Sequence, residues 1–222
     1  MKRQLAKVAP PGAVEPLARI LELQATDPTA STTIRDPSDA VRRHVADSLS
    51  ALALPFVAEA RRIADLGSGA GWPGLALAAA LPEAHVWLVE TAIRHCRYLE
   101  RAVEVSGLTN VSVLNARAEQ VEEEYDVVTA RALGALPVLL EYAAPLLSAE
   151  GHFVAWKAAV SPAESAAGAV AAEILGLEAV DVVHVTPYAG ARDHTLHVFC
   201  KVAPTPDRFP RRPGMATKRP LA

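Results

Sequence analysis

Cysteine is nearly missing from this 222-residue chain: only Cys96 and Cys200 occur, at no spacing that metal sites use. Cys96 falls in the middle of an expected helix and Cys200 in an expected strand, so both read as isolated buried thiols of a cytoplasmic protein. Long apolar runs are missing too. The alanine-rich stretch at 75 to 81 is too short to span a bilayer, and Lys2, Arg3 and Lys7 are not followed by the apolar core of a secretory signal. Neither a membrane nor a metal is therefore expected as a partner. Charge of one sign is also scarce. Lys and Arg number 22 against 25 Asp and Glu, a formal net charge of −3, which does not advertise nucleic-acid binding. No internal repeat and no separate second domain can be found.

What is present is apolar bulk and one strong motif. About half the residues are hydrophobic (51%), enough for one substantial core. The segment Ile63-Ala64-Asp65-Leu66-Gly67-Ser68-Gly69-Ala70-Gly71-Trp72-Pro73-Gly74 reads as a buried strand, a glycine-rich turn and a helix start, with Pro73 in the first helical turn. Glycine lets a backbone take positive φ and lets a ligand approach closely. Such a turn suits a nucleotide-like cofactor at the edge of an α/β sheet.

Two cofactors compete for this turn. Gly67-x-Gly69-x-Gly71 fits the loop of S-adenosylmethionine-dependent methyltransferases. Gly69-Ala70-Gly71-Trp72-Pro73-Gly74 formally satisfies the dinucleotide pattern G-x-G-x-x-G, but starts after the strand has ended. Asp65 would repel a pyrophosphate, whereas an ammonium and a sulfonium tolerate an acidic site. A tight turn without a ligand is the third reading, disfavoured by three alternating glycines.

Further strands are predicted at 85–90, 111–114, 125–130, 151–157, 177–185 and 195–202, with helices between them. The pattern predicts an α/β, Rossmann-like class I methyltransferase fold. Its seven-stranded sheet is mostly parallel, its last two strands antiparallel, with helices on both faces and a short helical N-terminal extension. The expected divisions are 1–57 for the extension, 58–203 for the methyltransferase domain and 204–222 for a basic, proline-rich tail. Residues 1 to 12 read as frayed and 24 to 33 as a polar loop.

Several polar residues fall where such sheets bind ligands. Glu90 ends the second strand about twenty residues beyond the glycines, where an acid can accept from both ribose hydroxyls; the alternative is a capping or exposed acid. Arg131 follows the fourth strand and Lys157 ends the fifth, on the same sheet edge. Arg42, Arg43, His44 and Asp47 lie on or near the polar side of a helix over 40–54, which reads most simply as a solvated face. His184, His194 and His197 show no ligand geometry. Residues 201–222 hold six basic residues against one acid, a patch able to bind phosphates or merely a solubilising tail.

From Ile34-Arg35-Asp36-Pro37, Arg43-His44-Val45-Ala46-Asp47-Ser48-Leu49, the glycine loop through Pro73-Gly74, Ala118-Glu119, Ala130-Arg131-Ala132, Lys157 and Thr205-Pro206-Asp207-Arg208-Phe209-Pro210-Arg211-Arg212-Pro213-Gly214, the chain resembles a known family over roughly residues 30 to 220. That family is the bacterial 16S ribosomal RNA 7-methylguanosine methyltransferases, also called glucose-inhibited division protein B. Ala30-Ser31-Thr32 departs from the family's usual Asn-Leu-Thr, and Trp72 from its usual smaller apolar residue. The resemblance implies S-adenosylmethionine as cofactor and 16S rRNA or the small ribosomal subunit as partner. The implied product is a guanosine methylated at ring nitrogen 7 near the 530 loop, at nucleotide 527 in usual rRNA numbering. It implies that Gly67, Ser68, Gly69, Gly71 and Trp72 line the methionine part of the cofactor, Glu90 the ribose, and Ala118 and Glu119 the adenine. Arg131 is implied in catalysis and cofactor orientation, and His44, Asp47, Lys157, Arg211 and Arg212 on the RNA side. A methyltransferase for a small molecule or protein, or a cofactor-binding module without activity, are the alternatives.

Overall fold

The computed structural model describes residues 1–222. Seven strands form one sheet: β1 (Arg62–Leu66), β2 (His85–Glu90), β3 (Val111–Asn115), β4 (Tyr125–Arg131), β5 (Leu147–Lys157), β6 (Leu177–Val185) and β7 (His194–Lys201). Their order is β3-β2-β1-β4-β5-β7-β6. β1 to β5 pair in parallel. β7 runs antiparallel to both β5 and β6. The expected seven strands are thus all present. The last two are antiparallel to each other, but only β7 opposes the rest. Chain order reverses between β1 and β4, which leaves a crevice at their carboxyl ends.

β1 and β4 are buried on both faces because helices cover both sides of the sheet. One face carries α1 (Lys2–Leu5), α2 (Val14–Thr26) and α3 (Pro37–Ala40). A π-helical stretch, Val41–Ala46, joins α3 to α4 (Asp47–Leu49). α5 (Pro55–Ala58), α6 (Gly74–Ala80) and α7 (Ile93–Ser106) complete that side. The other face holds α8 (Leu136–Ala143), α9 (Pro162–Leu175) and the terminal α10 (Met215–Lys218).

Two expectations need correction and one is refined, since α2 runs on to Thr26 before the loop expected over 24–33 begins. Residues 1–12 are not frayed: Leu5 is fully buried, in the same apolar cluster as Leu17, Ile20 and Leu21 of α2. The cue was too weak, since a four-residue helix owes its order to packing and not to propensity. The segment after residue 24 is organised by Arg35, whose guanidinium donates to the carbonyls of Gln24, Asp27 and Ala30 at 2.7, 2.6 and 3.1 Å. The basic tail is packed and not free. Phe209 and Ala216 are buried, and Arg211 pairs with buried Glu141. Cys96 is buried as expected, while Cys200 is partly exposed. No helix is long and apolar enough to cross a membrane.

Candidate active site

The glycine turn is tied from below. Asp65 is fully buried and accepts from Thr129 Oγ1 at 3.0 Å and from the Gly74 N–H at 3.2 Å. Burial pushes its pKa up to about 6, against the pull of those hydrogen bonds. Ser68 Oγ donates to the Asp65 carbonyl at 2.8 Å, and the Gly67 and Ser68 N–H groups share the Val89 carbonyl. Gly67 has φ +65°, and a Cβ there would meet Leu133 Cδ1 at 2.5 Å. The positive φ favours glycine there, since the exposed Leu133 side chain can move aside.

Over this turn opens a cavity of about 340 Å³. Its walls include Gly67, Gly69, Glu90, Ala118, Glu119 and Tyr142. Glu90 is held from two sides: Oε2 accepts from the Gly69 N–H (3.0 Å) and Oε1 from the Ala92 N–H (2.8 Å). Thr91 Oγ1 also donates to Oε1 at 3.4 Å, so of about four acceptor positions on a carboxylate one remains for a hydroxyl donor. Glu119 Oε1 accepts from the Gly214 N–H at 3.0 Å.

Four predicted cofactor contacts do not line this cavity: Arg131 lines the neighbouring one, and Ser68, Gly71 and Trp72 face elsewhere. Ser68 is buried under the turn, and Gly71 packs against Leu75 and Leu99. Trp72 turns the other way: it is buried, its indole N–H donates to Gln24 Oε1 at 2.8 Å, and its ring stacks on His44 at 5.7 Å. Pro73 is the N-cap of α6 and not its first residue. Alternation of glycines indicated a turn but not which side of it each residue presents.

Beside this cavity, at the carboxyl ends of β4 and β5, lies a second one of about 490 Å³. Arg43, His44, Asp47, Arg131, Lys157 and His194 line it, with Tyr188 at one side. The two meet along Ala132-Leu133-Gly134: Leu133 lines the first, and Ala132 and Gly134 the second.

A buried polar chain supports the second cavity. Arg131 donates through Nη1 to Asp47 Oδ2 (2.9 Å) and through Nη2 to His44 Nδ1 (3.1 Å). A guanidinium only donates, so His44 Nδ1 is the bare nitrogen and Nε2–H points to Thr32 Oγ1 at 3.0 Å. Burial, and the Arg131 and Arg43 charges, lower the His44 pKa to about 3, so the ring is neutral. Asp47 Oδ1 accepts from His194 Nδ1 at 2.8 Å, and the Asp47 carbonyl takes the Trp156 indole N–H at 2.9 Å. His44 and Asp47 are thus not on a solvated helix face; they are 8% and 4% exposed. The π-helical stretch rotates them inward, a local change of phase that a 3.6-residue period does not anticipate.

Lys157 is not a strand-end charge in water. It pairs with Glu164 at 2.6 Å and donates to the Gly134 carbonyl at 3.0 Å. Glu164 also accepts from the Leu136 N–H, so this pair ties the end of the turn after β4 to the start of α8. Arg211 forms a bidentate pair with Glu141 at 2.8 and 2.6 Å, whereas Arg212 is exposed. Tyr142 and Tyr188 carry no signal in the sequence, which also assigns no role at the site to Thr32 and His194. Thr32 keeps the threonine of the block that looked divergent, which was the one available signal.

Comparison with known proteins points one way. The sequence pattern of the family described as rRNA small subunit methyltransferase G matches residues 23–193. The ribosomal RNA small subunit methyltransferase G of Rubrobacter xylanophilus is 41% identical over 196 residues, spanning 84% of this chain and 75% of that protein. The Chloroflexus aggregans protein of the same name is 42% identical over 198 residues, 86% and 82% of the respective chains. Among solved structures, Aeropyrum pernix fibrillarin with natively bound S-adenosyl-L-methionine is similar in fold. Its TM-score is 0.54 at 22% identity, over 69% of this chain and 72% of that one. An S-adenosylmethionine-dependent O-methyltransferase of Thermotoga maritima gives TM-score 0.54 at 19% identity, over 79% and 69%.

Proposed function

Because the chain belongs to the rRNA small subunit methyltransferase G family, we propose that its two adjoining cavities hold S-adenosylmethionine and a guanosine of 16S rRNA, methylated at ring nitrogen 7. The protein is an S-adenosylmethionine-dependent 16S rRNA methyltransferase; the base, the atom and the residues are the proposal. One observation carries it: a glycine-floored cavity with carboxylates adjoins a cavity lined by Arg43, Arg131 and Lys157, at the reversal point of the sheet.

Glu90 and Glu119 suit a cationic cofactor and oppose a pyrophosphate, which disfavours a dinucleotide. Gly67 and Gly69 would floor the methionine portion, Glu90 would accept from the ribose, and Ala118 with Glu119 would meet the adenine edge. When bound, S-adenosylmethionine supplies a methyl group activated by its sulfonium. Guanine nitrogen 7 carries an in-plane lone pair and no proton, so the chain needs no general base. The neutral, Arg-bound His44 agrees with that, since its only bare nitrogen is already occupied. What remains for the protein is orientation, and holding reactants in place can lower a barrier by about 7–11 kcal/mol in favourable cases.

Arg131 is the residue proposed to act at the border between the cavities, held rigid by Asp47 and His44. Arg43 adds positive charge for phosphates of the RNA, as does exposed Arg212 of the tail, whereas the charge of Lys157 is met by Glu164. The region of the 530 loop, and nucleotide 527 within it, is the proposed target. Mapping 7-methylguanosine by mass spectrometry in ribosomes with and without this protein tests the proposal. Loss of that mark at 527 supports it; an unchanged mark there, or a mark on another base, refutes it.

A further inference from the structure

We infer that the C-terminal segment is a positioning strap for the base end of the cofactor cavity, anchored by Arg211 on Glu141 and acting on Glu119 through the Gly214 N–H. This rests on the nucleoside reading of that cavity. The anchor is strong: Glu141 is 1% exposed, and Arg211 meets it with two parallel bonds and its own N–H at 3.3 Å. Arg211 Nη2 also donates to the Arg219 carbonyl at 2.8 Å, which closes residues 211–219 into a loop. Phe209 and Ala216 are buried on either side of that anchor.

From this loop two bonds reach the cavity wall. The Gly214 N–H donates to Glu119 Oε1, and Thr217 Oγ1 bonds the Tyr142 hydroxyl at 3.1 Å. Gly214 has φ +82°, a conformation that aims its N–H at the carboxylate and that other residues rarely adopt. No hydrogen bond from the protein reaches Glu119 Oε2. With one oxygen held, the other is oriented to accept from an exocyclic amino group, and it would repel a carbonyl oxygen in the same place. The strap would therefore set the preference for an amino purine. Arg208, Arg212, Lys218 and Arg219 stay exposed outside it.

Isothermal titration of the full chain with S-adenosylhomocysteine and its 6-oxo counterpart, S-inosylhomocysteine, tests this. Wild type, Arg211→Ala and Gly214→Val would be compared, with circular dichroism and melting to confirm folding. Gly214→Val meets no neighbour at its Cβ but disfavours φ +82°, so it turns the N–H away from Glu119 while leaving the Arg211 anchor, and it stands if Arg211→Ala fails to fold. The expected result is a wild-type preference of at least tenfold for the adenosyl ligand, falling below threefold in the variants. A preference retained by the variants, an equal loss for both ligands, or no preference in wild type overturns the strap. So does a variant that binds both ligands normally and loses only RNA affinity. Failure of well-folded wild type to bind S-adenosylhomocysteine is a different result, and it removes the cofactor reading itself.

Discussion

Replacing Asp65 with Asn should stabilise the protein at neutral pH and expose an opposing titration that the wild type conceals. The Asp65 carboxyl, fully buried, is raised from an ordinary 3.8 to about 6. At about 1.4 kcal/mol per pH unit, keeping it ionised above pH 6 costs up to about 3 kcal/mol. Between about pH 3.8 and 6 the folded chain holds a proton that the unfolded chain has released, so this contribution to stability is lost as pH rises through 6. His44 works the other way. It is lowered from 6.5 to about 3, so its contribution is present above 6.5 and lost as pH falls toward 3. From pH 4 to 6 the two slopes oppose each other. Asn at 65 can still accept from the Gly74 N–H and can donate to Thr129 Oγ1, whose own hydroxyl can turn to the Ala64 carbonyl. Urea unfolding of both proteins from pH 4 to 7.5 is the assay. The Asn variant should gain up to about 3 kcal/mol at pH 7.5. Its stability should then fall more steeply on acidification than that of wild type. Parallel profiles for the two proteins would refute the assigned burial of a charged Asp65.

Other expectations follow from the same contacts. Arg131→Lys should lower methyl transfer at least a hundredfold, because one ammonium cannot meet Asp47 and His44 together; radioactive methyl incorporation measures it. Arg131→Ala leaves buried Asp47 with His194 alone and should cost about 3–5 kcal/mol in denaturant. Thr32→Val removes the acceptor of both the His44 Nε2–H and the Ile34 N–H, so a loss of about 1–3 kcal/mol and weaker transfer are expected. Leu5→Ala should lower stability by about 2–5 kcal/mol in urea melts, whereas a frayed terminus would give no change.

Much of this molecule was readable before folding. Strand positions follow from short β-branched and apolar runs, and the turn after β1 from glycines that must take positive φ. Arg131 and Lys157 were placed on one sheet edge because parallel strands end on the same side. What escaped depended on partners far apart in sequence. Asp47, Arg131 and His194 come from three elements, and none of them has a local neighbour that reveals the other two. Arg211 looked like a free cation because nothing near it in sequence announces Glu141.

By itself the order of residues determined the α/β layering, the turn for a cofactor and the family, since these rest on local periodicity and short motifs. Only the tertiary structure decided which way Trp72 faces, why His44 is neutral and how the basic tail closes against Glu119. Burial and long-range hydrogen bonds set those properties, and both arise only when separate elements pack together.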